Sequence, residues 1–416
     1  MRTTTLLRSG PSVWLALILI PALVWFGAQN TDSAIAYWAS VSAQSTIVLG
    51  FVGGACGAAA AWEAARLQRG EVFALAPARG GGVVVALHLL PVAVLGLIGI
   101  AASVCVYLLA AWPSRGWPSL PILGTAYVVV LSHIALGWLI GSRMPRALGA
   151  AFMLVFGYLW GFWPAALETP LPRHLNGQGF IDCCSLDAAP SVRSMAATVT
   201  LAVGVIAAAI LATAFRQGAR RVVMSLGAFG AAAAVSLMLA APLQFDGDQP
   251  RERALLQCTS GSPSVCLWPE QQSQQAQIVR WAQQATQRLK AVSVTPASEI
   301  QFGEVQPSES SVLSIVATSP LPNDPPACAL EPGAKYPGSL ASSAIYAWLA
   351  LTGGEQTADL VQRVPAPHIE LAQQVRGLPP VAQHAWYERN MRSVRDCSTN
   401  PDLSPSSFAA PRTDAP

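Results

Sequence analysis

The chain has 416 residues, 52% of them hydrophobic and only 11% charged, with a mean hydropathy of +0.42 and a formal net charge of +3. Residues 1–242 carry thirteen arginines against six carboxylates, and residues 243–416 carry twelve Lys plus Arg against sixteen carboxylates. Neither half has the basic surface that nucleic-acid binding requires, and the composition predicts a membrane domain followed by a polar one.

Seven apolar runs lie near 13–28, 44–62, 83–111, 119–141, 147–166, 195–215 and 222–242. Each can cross a bilayer core, which takes roughly 20 helical residues because no backbone amide can stay unpaired in hydrocarbon. Arg2 and Arg8 precede the first run, and Arg66, Arg69 and Arg79 follow the second. Arg143 and Arg146 follow the fourth, and Arg216, Arg220 and Arg221 the sixth, while the opposite connections hold Arg115, Arg173 and Arg193. The positive-inside rule then predicts a cytoplasmic N-terminus, and an odd number of spans predicts an extracytoplasmic C-terminal half in a multi-pass protein of the plasma membrane.

The first run, Val13 to Phe26 behind Arg2 and Arg8, also fits a signal peptide with Ala34-Ile35-Ala36 as its exit; its span length favours an uncleaved anchor. The second contains Gly50, Gly53 and Gly54 and the run Ala55 to Ala61, small surfaces for close helix packing. The connection from Trp62 to Gly80 interleaves Leu67, Phe73 and Leu75 with arginines and Glu71, which fits a short interfacial helix or a solvated loop that only sets topology. His88 and His133 lie in the third and fourth spans, where helix-to-helix hydrogen bonding is the expected fate and substrate contact or proton relay the alternative. Trp25, Trp38, Trp112, Trp117, Trp160 and Trp163 fall at the inferred external ends and read as an interfacial belt. Residues 167–194, with Pro170, Pro172, Gly177, Gly179 and Pro190, form either a re-entrant segment through Phe180 and Ile181 or an ordered loop stapled by Cys183 or Cys184.

The polar half predicts an α+β domain over 243–397 and a disordered tail over 398–416. Ile278, Ala282, Ala285, Leu289 and Val292 recur at helical steps, with glutamines on the other face. Residues 299–305 and 311–318 read as strands, and helices are expected near 339–352, 355–363, 367–376 and 379–396. Cys56 and Cys105 sit inside spans, whereas Cys183, Cys184, Cys258, Cys266, Cys328 and Cys397 fall on extracytoplasmic segments where disulfides persist. The turn-rich loop between Cys258 and Cys266 can bring those two sulfurs together; Cys328 with Cys397 is a second candidate pair, and spacing leaves the connectivity open. Two adjacent cysteines rarely bond each other, so the partners of Cys183 and Cys184 stay open.

No catalytic, cofactor or metal site is assigned. His368, Glu370, His384 and Glu388 are the concentrated His and carboxylate set, but HExxH, GxSxG and SxxK are absent, and a His384–Glu388 surface hydrogen bond is expected instead. Trp268 and Trp386 are expected in the core rather than stacked on a ligand.

The order of parts resembles the permeases of type-2 ABC exporters. A cytoplasmic coupling segment stands at 63–81, brief connections at 112–118 and 142–146, and a longer external segment at 167–194; Trp62 to Arg79 is similar to actinobacterial members. The resemblance covers roughly residues 1–216, and a seventh span and an external domain follow where many members stop. It implies a separate ATPase subunit, two permease copies or halves lining the pathway, and Arg66, Arg69, Glu71, Phe73 and Leu75 as candidates for the ATPase contact. No GxxxxGK[ST] occurs, so the chain supplies no P-loop of its own. Cys258 to Glu270, and Leu378-Pro379-Pro380 leading to Gln383, Trp386 and Cys397, resemble the external domain of uncharacterised actinobacterial permease-like proteins. The leading expectation is an ABC exporter permease subunit with an external accessory domain; the alternative is a non-transporting membrane sensor or scaffold.

Overall fold

The computed structural model describes residues 10–71, 81–113, 115–181, 183–214, 218–245, 247–331 and 333–409. The chain divides into two compact units, Met1–Arg251 and Glu252–Pro416.

In the first unit, α1 is Pro11–Ala28, α2 Trp38–Gln44, α3 Leu49–Arg69, α4 Gly81–Ala110, α5 Leu120–Gly141, α6 Arg146–Phe162, α7 Val192–Ala214 and α8 Ala219–Ala240. A 3-10 turn, Ser45–Val48, joins α2 to α3, and together they form one of the seven segments, among the described residues, that are long and apolar enough to cross a bilayer. Helix α3 runs through the middle of the bundle, with nearly every residue from Leu49 to Leu67 buried. Its small residues make this possible. A Cβ at Gly137 of α5 would collide with the backbone of Gly57, and one at Gly157 of α6 with the backbone of Gly54. The next contacts along, Gly141 on Ala61 and Gly161 on Gly50, show that α5 runs parallel to α3 and α6 antiparallel to it.

The connection from α6 to α7 is an ordered loop that fills one end of this unit. Its side chains reach backbone groups far away in sequence. His174 is fully buried between Ser194 Oγ (2.9 Å) and the Gln244 carbonyl (2.7 Å). Asn176 donates to the carbonyls of Trp160 and Gly161, and Gln178 donates to that of Ile47. Phe180 packs with Ala39, Ala43 and Ile122 rather than lying against lipid. Strand β1, Ala188–Pro190, pairs antiparallel with β2, Asp248–Pro250, so the stretch after α8 folds back onto the first unit. Cys183 and Cys184, whose partners the sequence left open, are bonded to each other; Cys258–Cys266 and Cys328–Cys397 take up the other four cysteines outside the spans.

In the second unit, β3 (Gln257–Cys258), β4 (Ser264–Leu267) and β5 (Glu299–Gln301) form a small sheet, antiparallel between β3 and β4 and parallel between β4 and β5. Cys258 and Cys266 are register partners across the first pair as well as a disulfide. Helices α9 (Gln275–Lys290), α10 (Glu309–Thr318), α11 (Gly338–Gly353), α12 (Thr357–Leu360), α13 (Ala366–Arg376) and α14 (Pro380–Arg395) surround it. The glutamine-rich helix α9 buries Ile278, Ala282, Ala285 and Leu289 as its period requires.

Two expectations fail here. Residues 311–318 are helix, not strand: Ser308 caps α10 by accepting from the Ser311 amide at 3.1 Å, and Val312, Leu313, Val316 and Ala317 form its buried face. Residues 398–409 are packed, not disordered. Asn390 exchanges two hydrogen bonds with the Asp402 backbone, Trp386 donates to the Leu403 carbonyl, and Leu403 and Phe408 lie against the core.

Candidate functional site

Helix α3 continues past Trp62 without a break and ends at Arg69, so Glu63 to Arg69 is helical rather than a loop. Glu63 is 2% exposed. Its Oε2 accepts from Arg66 Nη2 at 2.6 Å, and its Oε1 has no hydrogen-bond partner among the described residues. Arg66 is therefore committed to a buried carboxylate one turn away. Arg69 and Glu71 are exposed at the helix end, while Phe73 and Leu75 lie outside the described residues.

Because α5 is parallel to α3 and α6 antiparallel, the arginines of the next connection come to the same end. Arg146 lies over the Trp62 ring, 4.9 Å from its centroid. Arg143 donates to the carbonyls of Leu139 (3.0 Å) and Ala212 (3.4 Å). Burial, and then the like charge of Arg221, hold its pKa below the usual arginine value. One end of the unit thus collects Arg66, Arg69, Arg143, Arg146 and Arg221; Arg2, Arg8, Arg79 and Arg216 are outside the described residues.

Farther from that end, α5, α6, α7 and α8 leave a cavity of about 450 Å³, lined by Val129, Leu136, Phe156, Leu201, Val205 and Leu226 among others. Its polar lining is sparse. The hydroxyls of Ser132 and Ser225 donate to the carbonyls of Val129 and Ala208. His133, 5% exposed, sets Nδ1 2.9 Å from the Val129 carbonyl, and its Nε2 has no partner among the described residues. His88 likewise bonds the Val84 carbonyl of its own helix at 2.8 Å. Among the described residues neither histidine makes the helix-to-helix bond expected of it, because an Nδ1–H pointing down its own turn already reaches the carbonyl four residues back.

In the second unit, two polar clefts of about 440 and 460 Å³ share Tyr346 and Arg363. Arg363 donates to the Tyr346 hydroxyl at 2.9 Å and pairs with Glu355, whose side chain is fully buried. The Tyr346 hydroxyl also bonds Ser314 Oγ at 3.2 Å. Sequence reasoning missed this set, which is drawn from α10, α11 and the turns on either side of α12. The His368, Glu370, His384 and Glu388 set was assigned no chemistry from sequence; among the described residues no three His, Cys, Asp or Glu form a group able to hold a metal. His384 packs beside the Tyr387 ring, and its Nδ1 has no hydrogen-bond partner among the described residues. Trp268 and Trp386 are both buried in the core.

Residues 265–397, most of the second unit, match the family model described as "Domain of unknown function (DUF7224)". No curated protein and no solved structure matches the chain.

Proposed function

We propose that the chain is the membrane subunit of an ABC export complex, driven by a separate ATPase and working with a second permease copy. Its arginine-rich end faces the cytoplasm, and residues 252–416 lie outside as an accessory domain. The observation that carries this reading is the gathering of Arg66, Arg69, Arg143, Arg146 and Arg221 at one end of the bundle, with Arg69 and Glu71 exposed at the tip of its central helix. A tip continuous with a buried helix is suited to passing a push from a docked ATPase into the bundle, since α3 touches both α5 and α6 backbone to backbone.

Purification from native membranes tests it. An ATPase should co-purify with the wild-type chain and be lost from the double variant Arg69→Glu, Glu71→Lys, while the variant still elutes as a folded species. Arg66→Glu is the wrong probe, because it would set a second carboxylate beside buried Glu63 and damage the helix itself. Retention of the ATPase by the double variant, or its absence from the wild-type preparation, refutes the docking role. A second reading, a non-transporting sensor or scaffold, is favoured by the paired polar clefts at Tyr346 and Arg363. It requires no nucleotide dependence.

A further inference from the structure

We infer that the cavity between α5, α6, α7 and α8 is a binding site for a neutral single-chain lipid bearing an O–H group, which donates to His133 Nε2. The inference stands apart from the export reading, since such a ligand would serve a sensor equally well.

Shape and depth come first. The lining follows α5 from Val129 to Leu139, about 15 Å at the rise of a helix, so the space is elongated and suits a chain better than a compact ligand. His133 stands roughly 20 Å from the Leu120 end of α5 and roughly 12 Å from the Gly141 end, well inside the apolar length of the helix. At about 450 Å³ the cavity is within the range of small-molecule sites, about 300–1,000 Å³. Leu226 and Phe229 line it yet are 65% and 43% exposed, so α8 forms a rim through which a lipid can enter.

The chemistry comes from one atom. A carbonyl can only accept, so the 2.9 Å contact with Val129 puts the proton on Nδ1. In the neutral ring Nε2 then carries a lone pair and needs a donor. The ring packs between Gly53 of α3, where a Cβ would stand 3.1 Å from it, and Phe156, 6.0 Å off centroid to centroid. Water is a poor occupant, since a buried water needs about 2–4 polar partners and the serine hydroxyls of the lining give their protons to backbone carbonyls, leaving only acceptors beside His133 in a largely apolar wall. A charged headgroup is disfavoured as well, because no Lys, Arg, Asp or Glu among the described residues lines the cavity. What fits is an apolar chain with a single uncharged donor.

The test uses the purified full chain in detergent micelles and three photoreactive probes of equal length with the diazirine in the chain: a long-chain primary alcohol, its methyl ether, and the alkane. The alcohol should label the α5 and α7 walls at a half-saturating concentration at least tenfold below that of the ether or the alkane. His133→Phe should raise the alcohol to the level of the ether, and Ala209→Phe, which fills the space, should abolish labelling of those walls by all three. Equal labelling of the wild-type protein by alcohol and ether overturns the inference without recourse to any variant. So does tight alcohol labelling that maps outside the cavity or persists in the filled variant.

Discussion

Tyr387 stands on the buried face of α14, 5% exposed, with its ring 5.5 Å from that of Trp348. Burial pushes its phenol from 10.0 up to about 12, with Glu388 adding to the shift and Arg395 opposing it. The neutral form is thus the one the fold favours. The stability that Tyr387 contributes is complete below pH 10, where an unfolded phenol begins to ionise, and is lost as the pH rises through 12. Alkaline unfolding followed by phenolate absorbance should therefore move to higher pH in Tyr387→Phe, and an unchanged midpoint would remove Tyr387 from the alkaline transition. At this scale the sequence spoke clearly for apolar burial and poorly for polar contacts. Trp268 and Trp386 are in the core as their surroundings imply, whereas His174, Asn176 and Gln178 bond partners up to 131 residues away, which no local pattern encodes. The unpaired Nε2 of His133 is hidden from sequence for a related reason, since it depends on where three other helices leave a gap.

Helices of the first unit were legible because lipid-length apolar runs have few alternatives, and each span appears within a few residues of its expected limits, apart from the second. That one starts at Trp38 and ends at Arg69, its extension carried by helix formers that follow the apolar run. Helix α10 was misread because Val312, Ile315 and Val316 are β-branched, and the cap at Ser308 outweighs that preference once its buried face finds α9 and α11. What sequence suggested but could not assign was the partner of each glycine. Helix α5 offers an internal comparison: Gly137 lies on the Gly57 backbone, while nothing stands within 4 Å of where a Cβ on Gly124 would be. Gly124→Ala should be neutral or stabilising by about 0.5–1 kcal/mol, the usual gain of replacing a helical glycine. Gly137→Ala should cost about 1–3 kcal/mol, because α3 and α5 must separate to admit it. Thermal unfolding in detergent reads both, and equal behaviour of the two variants would remove the close α3–α5 contact.

For the whole molecule, the parity of the crossings matters more than any one helix. Five of the seven spans lie between Arg69 and the second unit, so the two stand on opposite sides of a bilayer when all five insert, and the arginine-rich end decides which side is which. The disulfides Cys258–Cys266 and Cys328–Cys397 argue independently for an oxidising compartment around the second unit, since a reducing cytoplasm would keep these thiols free. Both lines lead to the same labelling pattern. With the exposed thiol of Cys105 replaced by serine, single introduced cysteines at Arg69 and at Glu331 report the two sides. In intact cells a membrane-impermeant maleimide should modify Glu331→Cys and leave Arg69→Cys untouched until the membrane is permeabilised. The reverse pattern would invert the topology and take the arginine end away from any cytoplasmic ATPase. Modification of both sites in intact cells would mean an even number of crossings between them, and the first span, Pro11–Ala28, lies before both sites and so cannot be the cause. The fault would then fall on one of the helices after α3, with α8 the first to test, because it is the least buried of the seven and leans on the rest of the bundle chiefly through α7.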